Sequence, residues 1–402
     1  MTISKEIISY SLRSINHSRA RNLLTIFSIF IGITTIFIFV SFGIGLVNYT
    51  EELKTSSSVN KINIQPKGVG PPGLDDTFSL TEDDLKVVRR TSGIFEASGV
   101  YFKPAEIRKN GVLKFVWAIS YDEKNPLVIE LFGVDLYKGR QLRSGDKNKV
   151  VLGYNFLLDD KIFSSGLDVN DRLEIQGEDF RVVGFYESIG NPQDDANIYM
   201  TDEDFLEVYD DLAGYSWIIA EVDLEKIDVV VERVETNVRK SRGLEEGKED
   251  FFVQSFQDLL EQFNTVLTFI LVFVIAIALI SVIVSAVNTA NTMVTSTLER
   301  VKEIGIIKSI GAKNSEVFKI FLFESGFLGF VAGVLGVGIG FIITSLIGGA
   351  LNSAGFGFLS PSYSFWLFFF LVFFSTITGA ISGAWPAWEA SKIKPVEALR
   401  YE

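Results

Sequence analysis

Residues 263–287 read FNTVLTFILVFVIAIALISVIVSAV and carry no charged side chain. A helix that crosses the hydrocarbon core of a bilayer, about 30 Å thick, needs about 20 apolar residues. Three further stretches, 23–47, 318–347 and 365–388, are long enough and almost free of charge. Only two charged residues interrupt them, both near the start of 318–347. The sequence therefore predicts four transmembrane helices.

A hydrophilic block of about 210 residues separates the first apolar stretch from the second. We therefore predict an α-helical membrane protein with four transmembrane helices and an α+β extracytoplasmic domain inserted between helices 1 and 2. The predicted segments, in chain order, are a cytoplasmic N-terminal amphipathic segment (1–22), the first transmembrane helix (23–47), the extracytoplasmic domain (48–260), the second helix (261–289), a cytoplasmic segment (290–316), the third helix (317–347), a short outer loop (348–364), the fourth helix (365–388) and a cytoplasmic tail (389–402).

The charge of the chain is concentrated in the hydrophilic block. The net charge is −13 overall and −17 within residues 50–261, whereas the two flanking parts are slightly basic. An acidic domain repels phosphate groups, which argues against nucleic acid as a partner. The chain has no cysteine, so it contains neither a disulfide nor a thiolate metal site.

Lysine and arginine in short loops indicate which side of the membrane those loops occupy, because they favour the cytoplasm. They occur in 1–22, 299–313 and 392–400 and are absent from 348–364. We therefore predict a multi-pass protein of the cell (plasma or inner) membrane, with both termini cytoplasmic and residues 50–261 outside. The first apolar stretch is too long for a signal peptide, so we expect an uncleaved anchor.

The hydrophilic block carries its own secondary-structure signals. Residues 81–84 have the spacing of a helix-capping box, and the same spacing predicts a helix over 201–212. Asparagine and glycine at 110–111 predict a hairpin turn, and residues 227–240 place apolar side chains on one helix face. Residues 68–76, rich in glycine and proline, predict a loop. This mixture predicts an α+β domain and leaves open whether it has one lobe or two.

A single long helix is predicted to join the hydrophilic block to the segment after the second apolar stretch. Residues 248–304 contain neither glycine nor proline, and Ser255 with Asp258 marks a helix start. A helix from Ser255 to Arg300 is about 69 Å long, more than twice the hydrocarbon thickness. The alternative is a break around Asn264 followed by a mobile linker.

Glycines in the third and fourth apolar stretches recur at GxxxG spacing, which favours close approach of helices in lipid. The six candidate packing residues are Gly329, Gly333, Gly336, Gly340, Gly379 and Gly383. The packing they predict lies either within one subunit or across a dimer. The intramembrane carboxylate Glu324 is a functional candidate, but its place near the membrane surface favours hydration or pairing with Lys308 or Lys319.

Sequence motifs of catalysis are absent. No GxxxxGK[ST], HExxH, GxSxG or CxxC occurs, so we predict no catalytic residue, no metal site and a chain that is not itself an enzyme. The single histidine, His17, is expected to be solvated. Acidic pairs at 75–76, 83–84, 159–160 and 194–195 lack the spacing of a calcium-binding loop and are expected to be solvated surface.

Residues 299–324 read ERVKEIGIIKSIGAKNSEVFKIFLFE. Charged residues come first, and Gly305 and Gly311 are expected to divide the stretch into two short helical pieces before the third apolar helix. We call residues 299–313 the elbow. A compact basic, amphipathic elbow can lie on anionic lipid or dock into a groove on a soluble partner, and composition does not choose between these.

The elbow resembles the coupling segment of the MacB/FtsX family of ABC transporter permeases, whose pattern is close to RxxEIGxxKxxGA. The matching residues are Arg300, Glu303, Ile304, Gly305, Lys308, Gly311 and Ala312. Residues 383–400 resemble the family's C-terminal ending, and 11–32 resemble its entry into the first helix. Residues 150–153 (VVLG) and 181–184 (RVVG) stand where the MacB-type periplasmic core domain has VVLG and FxVVG. The resemblance covers essentially the whole chain.

The resemblance implies a stand-alone permease subunit that couples ATP hydrolysis by a separate ATP-binding subunit to motion of the extracytoplasmic domain, for export or extraction of a substrate. This mechanotransmission implies two permease chains, as a homodimer or a pseudo-dimer with a second permease. ATP and Mg would be bound by the partner subunit, and no cofactor is expected in this chain. An extracytoplasmic adaptor protein and membrane lipid are further expected partners.

Two alternative functions remain. The same machinery can regulate an extracellular cell-wall hydrolase, and a hydrolase bound to the outer domain without an export defect on deletion would indicate this role. The other alternative is an ATPase-independent membrane scaffold or sensor. The elbow pattern argues against the second alternative, because docking on lipid does not require it.

Overall fold

The computed structural model describes residues 19–53, 59–68, 78–210 and 212–400. The predicted N-terminal segment up to residue 18, with His17, lies outside the described residues, as does most of the predicted loop 68–76. The chain forms two compact units, which we describe separately. The helical unit comprises Met1–Leu46, Val266–Ala350 and Leu359–Glu402, and the α+β unit comprises Val47–Thr265 and Leu351–Phe358.

The described residues form ten α-helices and eleven β-strands. The helices are α1 (Arg19–Leu53), α2 (Glu82–Arg90), α3 (Leu127–Phe132), α4 (Asp202–Val208), α5 (Ile227–Ser241), α6 (Phe256–Glu299), α7 (Val301–Ser309), α8 (Asn314–Ala354), α9 (Phe365–Lys392) and α10 (Pro395–Arg400), with 3-10 turns at Tyr154–Leu157, Asp194–Ala196, Leu224–Lys226 and Gly357–Leu359. The strands are β1 (Lys61–Pro66), β2 (Ile94–Val100), β3 (Phe102–Lys109), β4 (Val112–Tyr121), β5 (Leu136–Gly139), β6 (Lys149–Leu152), β7 (Arg172–Ile175), β8 (Glu178–Tyr186), β9 (Ile198–Thr201), β10 (Trp217–Val222) and β11 (Phe251–Ser255).

Four helices among the described residues are long and apolar enough to cross a membrane, namely α1, α6, α8 and α9. Together with the α+β unit, they confirm the predicted fold class. The core of the helical unit brings α1, α8 and α9 together around buried Ile33, Phe37, Ala332 and Leu371. Polar bonds add to this packing, since Thr34 Oγ1 donates to the carbonyl of Gly336 at 3.2 Å.

The structure places the six candidate packing glycines at helix contacts within the chain. Gly329 of α8 and Gly379 of α9 face each other. A Cβ atom built on Gly329 would lie 2.5 Å from the Ser375 carbonyl oxygen, and one on Gly379 would lie 2.6 Å from that of Ser325. Ser375 Oγ also donates to the Gly329 carbonyl. At this crossing the two backbones are too close for a side chain at either glycine.

The remaining candidate glycines line the same seam or the contact with α1. Gly333 faces Ser375, and Gly383 faces Ser325. Gly336 and Gly340 instead face α1, where an added Cβ would meet Ile33 at 3.1 Å and Phe37 at 2.9 Å. One helix, α8, therefore presents successive glycine pairs to two different neighbours.

The α+β unit contains two sheets. One has four strands in the order β11-β1-β10-β2, and the other has seven in the order β5-β8-β6-β9-β4-β3-β7. Because β7 also pairs with β8, six strands of the larger sheet close into a ring, with β5 attached to β8. Helices α2 and α5 cover the four-stranded sheet and bury Leu85, Val88, Val230 and Val234. Each sheet thus has its own core cluster, and a third cluster contains residues of both sheets.

Local signals in this unit had the predicted effect in most places. Residues 110–111 join β3 to β4 as a two-residue hairpin, with φ of 50° and 78°. Thr81 caps α2 and forms the predicted capping box with Asp84. Helix α4 ends at Val208, four residues earlier than predicted, because Tyr209 adopts an extended backbone conformation (φ −117°, ψ 100°).

The prediction that all acidic pairs are solvated is wrong at two positions. Asp195 is buried and accepts hydrogen bonds from Ser188 Oγ at 2.6 Å and the Ile189 N–H at 2.7 Å. Asp84 is only 3% exposed. Arg242 donates to both oxygens of its carboxylate, at 3.0 and 2.6 Å. Both carboxylates therefore organise loops rather than face water.

The Asp84–Arg242 pair predicts a dependence of stability on pH. Burial raises the pKa of Asp84, but the hydrogen bonds from Arg242 and Thr81 outweigh burial and hold that pKa below the usual value of 3.8. A carboxyl whose pKa is lowered by folding stabilises the folded state above the pKa of the unfolded chain, and this contribution is lost as pH falls below 3.8. We expect Asp84→Asn to flatten the decrease in the free energy of unfolding below that pH, measured by urea titration of the full chain.

The matched control for this measurement is Asp83→Asn, because the Asp83 side chain is 84% exposed and pairs with Lys86 on the surface. The control variant should keep the pH dependence of the unmodified chain. Equal slopes for Asp84→Asn and the unmodified chain would show that the Arg242 pair does not contribute to acid sensitivity.

The predicted long helix is confirmed as α6, which runs without interruption from Phe256 to Glu299. At 1.5 Å per residue its length is about 66 Å. Ser255 is the last residue of β11. Its Oγ accepts from the Asp258 N–H at 2.9 Å while Asp258 accepts from the Ser255 N–H at 3.0 Å. Helix α6 continues through Asn264, the position of the alternative break, so a sheet strand passes into the long helix with no linker.

Candidate functional site: the elbow between α6 and α8

The elbow is a short helix held between two long ones. Helix α6 ends at Glu299, Arg300 leaves the helical conformation (φ −109°, ψ 15°), and α7 begins at Val301. The prediction that Gly305 divides the elbow is wrong, because Gly305 is buried inside α7. The break occurs at Arg300 instead, where the side chain turns towards α8.

Arg300 joins the elbow to α8 through a buried carboxylate. Its Nη1 donates to Glu324 Oε2 at 3.1 Å and its Nε to Glu303 Oε2 at 3.1 Å. The guanidinium also lies 5.3 Å from the centre of the Phe321 ring. Glu324 is 2% exposed. The expectation that Glu324 is hydrated or pairs with Lys308 or Lys319 is therefore wrong, since Arg300 reaches it from the elbow.

Arg300→Gln is expected to lower the stability of the helical unit, because it removes the charge-assisted hydrogen bond between Arg300 and buried Glu324. The loss should be about 2 kcal/mol, typical of a hydrogen bond to a charged group. The midpoint of thermal unfolding of the full chain in detergent measures it. The double variant Arg300→Gln with Glu324→Gln should regain part of the loss, and no gain over the single variant would argue against a direct pair.

Lys308 fixes the other end of α7 to the C-terminal end of α9. Its Nζ donates to the carbonyl oxygens of Ser391 at 2.9 Å and Ile393 at 2.7 Å. The last carbonyls of a helix have no partner inside it and carry partial negative charge, so a cation there is favourable. Helix α10 also packs against α7. The tail is therefore part of the elbow's support.

Gly311 and Ala312 end α7. Gly311 has φ of +110°, a conformation that favours glycine, and its N–H donates to the Lys308 carbonyl at 3.1 Å. The Ala312 N–H donates to the Ile307 carbonyl at 3.2 Å. This pattern is a Schellman helix end. The GA pair of the elbow is thus explained by local structure alone.

The structure divides the seven candidate coupling residues into two sets. Ile304 is buried in a cluster with Val317, Phe321 and Ala390, and Arg300, Gly305 and Lys308 also face the supporting helices. Of the seven, Glu303 and Gly311 are exposed, and Ala312 is half-buried. Most of the pattern therefore holds the elbow in place, and little of it is available to a partner.

The sequence predicts an amphipathic elbow but does not identify Ile306 and Ile310 as its exposed apolar residues. Ile306 is 53% exposed and Ile310 is 82% exposed. With Glu303, whose side chain is 57% exposed, they recur at spacings of three and four and so share one helix face. We call these three residues the outward face. The sequence did contain a signal for this surface, namely helical spacing: if Ile304 and Lys308 face one side of α7, residues 306 and 310 face another.

The geometry of the elbow suits binding to another molecule. Within the parts of the chain that the structure describes, no three His, Asp or Glu side chains cluster as metal ligands. The outward face combines two exposed isoleucines with a carboxylate on a helix that is anchored at both ends. Exposed apolar residues on a rigid helix are a means of docking against another molecule.

Comparison with known families identifies the chain. The family model described as MacB-like periplasmic core domain matches residues 22–237, and the FtsX-like permease C-terminal model matches residues 265–395. The chain belongs to the MacB/FtsX type of ABC transporter permeases, and its four apolar helices are transmembrane helices. This confirms the family resemblance of the elbow and the tail.

Individual relatives agree with this assignment. An uncharacterised ABC transporter permease of Methanocaldococcus jannaschii is 33% identical over 402 residues, 99% of this chain and 98% of that protein. The macrolide export ATP-binding/permease protein MacB of Escherichia coli K12 is 26% identical over 99% of this chain but only 61% of its own length. The chain thus spans about three fifths of MacB.

Two solved domains are also similar, each with a TM-score of 0.39. They are the extracellular domain of the transporter YknZ from Gram-positive bacteria (13% identity, 48% of this chain and 100% of that one) and the periplasmic region of MacB from Actinobacillus actinomycetemcomitans (16% identity, 51% and 92%).

Proposed function

We propose that this ABC transporter permease works with a separate ATP-binding subunit and transmits motion from it to the α+β domain across the membrane. The observation that carries the proposal is the outward face of the elbow, with Ile306 exposed on α7 and Ile310 exposed directly after it, while Arg300 and Lys308 fix other sides of this helix. A groove on the ATP-binding subunit would bury Ile306 and Ile310 and pair Glu303 with a cation.

The long helix α6 supports the transmission step. Movement imposed on α7 reaches Glu299, the last residue of α6, through the single intervening residue Arg300. From there a continuous helix leads back to Phe256, which follows directly on β11 of the four-stranded sheet. A helix without glycine or proline resists bending, so displacement of one end is passed to the other. In this proposal the chain contributes no step to ATP hydrolysis, and ATP and Mg bind to the partner.

The assembly we propose contains two permease chains and two ATP-binding subunits, in the plasma membrane, with the elbow cytoplasmic and the α+β domain outside. The distribution of Lys and Arg supports this orientation. The M. jannaschii relative is named an ABC transporter permease, which supports the permease role in this proposal. We also propose that the motion of the outer domain exports or extracts a substrate.

Single-cysteine labelling tests orientation and docking together, because the chain has no natural cysteine. Ile310→Cys places a thiol on the outward face, and Lys114→Cys places one at an exposed position of β4. An impermeant maleimide should label Lys114→Cys on intact cells and Ile310→Cys only after permeabilisation. Reversed labelling would contradict the orientation.

The same two variants test the partner. Cross-linking from Ile310→Cys in native membranes, followed by mass spectrometry, should capture an ABC ATP-binding subunit, and cross-linking from Lys114→Cys should not. Capture of lipid alone at residue 310, with no ATP-binding subunit in the purified complex, would instead favour an elbow that rests on the membrane.

A further inference from the structure

A groove lies between α8 and α9 on the outside of the helical unit. Its volume is about 390 Å³. The residues that line it are Lys319, Leu322, Phe323, Gly326, Phe327, Phe330 and Thr376. Its interior is apolar, since the Thr376 hydroxyl donates to the Val372 carbonyl of its own helix at 2.7 Å. Three phenylalanine rings and one leucine form most of the wall.

The length of the groove matches one leaflet of a bilayer. Its lining residues on α8 run along one helix face from Lys319 to Phe330. At 1.5 Å per residue that distance is about 16 Å. Half of a hydrocarbon core about 30 Å thick is about 15 Å. A single acyl chain that enters from the elbow side can therefore lie along the groove.

A lysine stands at the elbow end of this apolar groove. Lys319 is half-buried, and within the described residues no carboxylate lies within ion-pair distance of its Nζ. The nearest acids along α8 are engaged elsewhere, because Glu324 pairs with Arg300 and Glu316 accepts from the Lys313 N–H at 2.9 Å. The cation is thus available to an anion at the level of the headgroups.

We propose that this groove binds an anionic phospholipid of the leaflet on the elbow side, with one acyl chain along Phe323, Phe327 and Phe330 and the phosphate at Lys319. Charge complementarity selects the headgroup, because a lysine at the membrane surface attracts anionic lipid. The aromatic wall and the length of the groove favour a single acyl chain. The site lies on α8, directly after the elbow, and it does not depend on the ATP-binding subunit.

Lipid competition on the purified full chain tests the site. The protein in detergent is equilibrated with equal amounts of dioleoylphosphatidylglycerol and dioleoylphosphatidylcholine, and bound lipids are counted by native mass spectrometry. The unmodified chain should retain about five times as much phosphatidylglycerol as phosphatidylcholine, and Lys319→Gln should lose that preference. Lys319→Arg should keep it. Lys302→Gln, at an exposed lysine of α7, is the matched control and should also keep it.

A second variant tests the acyl chain without touching the charge. A Cβ at Gly326 would lie 3.5 Å from the Ala380 Cβ, an ordinary contact, so Gly326→Ala should fold and bind lipid normally. Gly326→Leu projects into the groove and should reduce phosphatidylglycerol binding although Lys319 remains. Its thermal unfolding, compared with Gly326→Ala, shows whether the fold is retained.

Three results would overturn the proposal. The first is equal retention of the two lipids by the unmodified chain. The second is an undiminished preference in Lys319→Gln. The third is displacement of phosphatidylglycerol by millimolar inorganic phosphate together with full binding in folded Gly326→Leu, because the site would then recognise only a phosphate group.

Discussion

Ile310→Asp is expected to separate the permease from its ATP-binding subunit while leaving the permease folded. Docking would bury Ile310, which is 82% exposed in the free chain, and this burial is worth about 2 kcal/mol. In Ile310→Asp that contribution is lost, and burying the aspartate carboxylate without a partner costs a further amount of roughly 1–3 kcal/mol. Together these amount to a loss in affinity of at least about 100-fold. Co-purification of the ATP-binding subunit in mild detergent measures it.

The support of the elbow makes this variant informative. Arg300 and Lys308 hold α7 through contacts on faces other than that of Ile310, so the substitution should leave the thermal stability of the permease unchanged. Ile310→Val is the conservative control and should keep the partner. Leu113→Asp, which introduces the same carboxylate at an exposed leucine of β4, should also keep the ATP-binding subunit bound. Full co-purification of Ile310→Asp would mean that the outward face is not the docking surface.

Gly379→Leu is expected to separate α8 from α9 and to destabilise the helical unit by more than about 3 kcal/mol, above the usual range for an overpacked core. A Cβ there would lie 2.6 Å from the Ser325 carbonyl and 3.0 Å from the Gly329 Cα. Backbone atoms cannot move aside as a side chain can, so the helices must part along the seam. Thermal unfolding of the detergent-solubilised chain, followed by size-exclusion chromatography, measures the loss.

Gly338→Leu is the matched control, because it introduces the same side chain into the same class of helix at a glycine whose added Cβ would meet nothing within 4 Å. It should unfold at nearly the temperature of the unmodified chain. If both leucine variants unfold alike, the close crossing of α8 and α9 does not limit stability.

Local signals in the sequence were sufficient to predict the apolar helices and several elements of the α+β unit. Length and lack of charge identify the apolar helices, because a bilayer tolerates few alternatives. The capping pair Thr81 and Asp84, the hairpin at 110–111 and the uninterrupted run into α6 also act within a few residues of chain. Such features are determined by residues that are close in sequence, so they can be predicted without a structure.

Contacts between distant residues were not predictable in the same way. The partner of Glu324 is 24 positions earlier in the chain, and that of Asp84 is 158 positions later. Closure of the larger sheet through β7 and β8 depends on register across several strands. At the elbow, the family pattern drew attention to seven residues but did not predict which of them are buried and which are exposed. Only the packing of Ile304 shows that the exposed surface belongs to Ile306 and Ile310.

The uninterrupted course of α6 also constrains how this chain can change length. Each residue of a helix turns the following residues by about 100° and advances them by 1.5 Å. A one-residue insertion between Asn288 and Glu299 would therefore rotate Arg300, which bonds to Glu324 of α8, by more than a quarter turn relative to Asn288, which bonds to Ser28 of α1. Because no linker there can absorb that rotation, insertions and deletions of single residues in this part of α6 should not be tolerated.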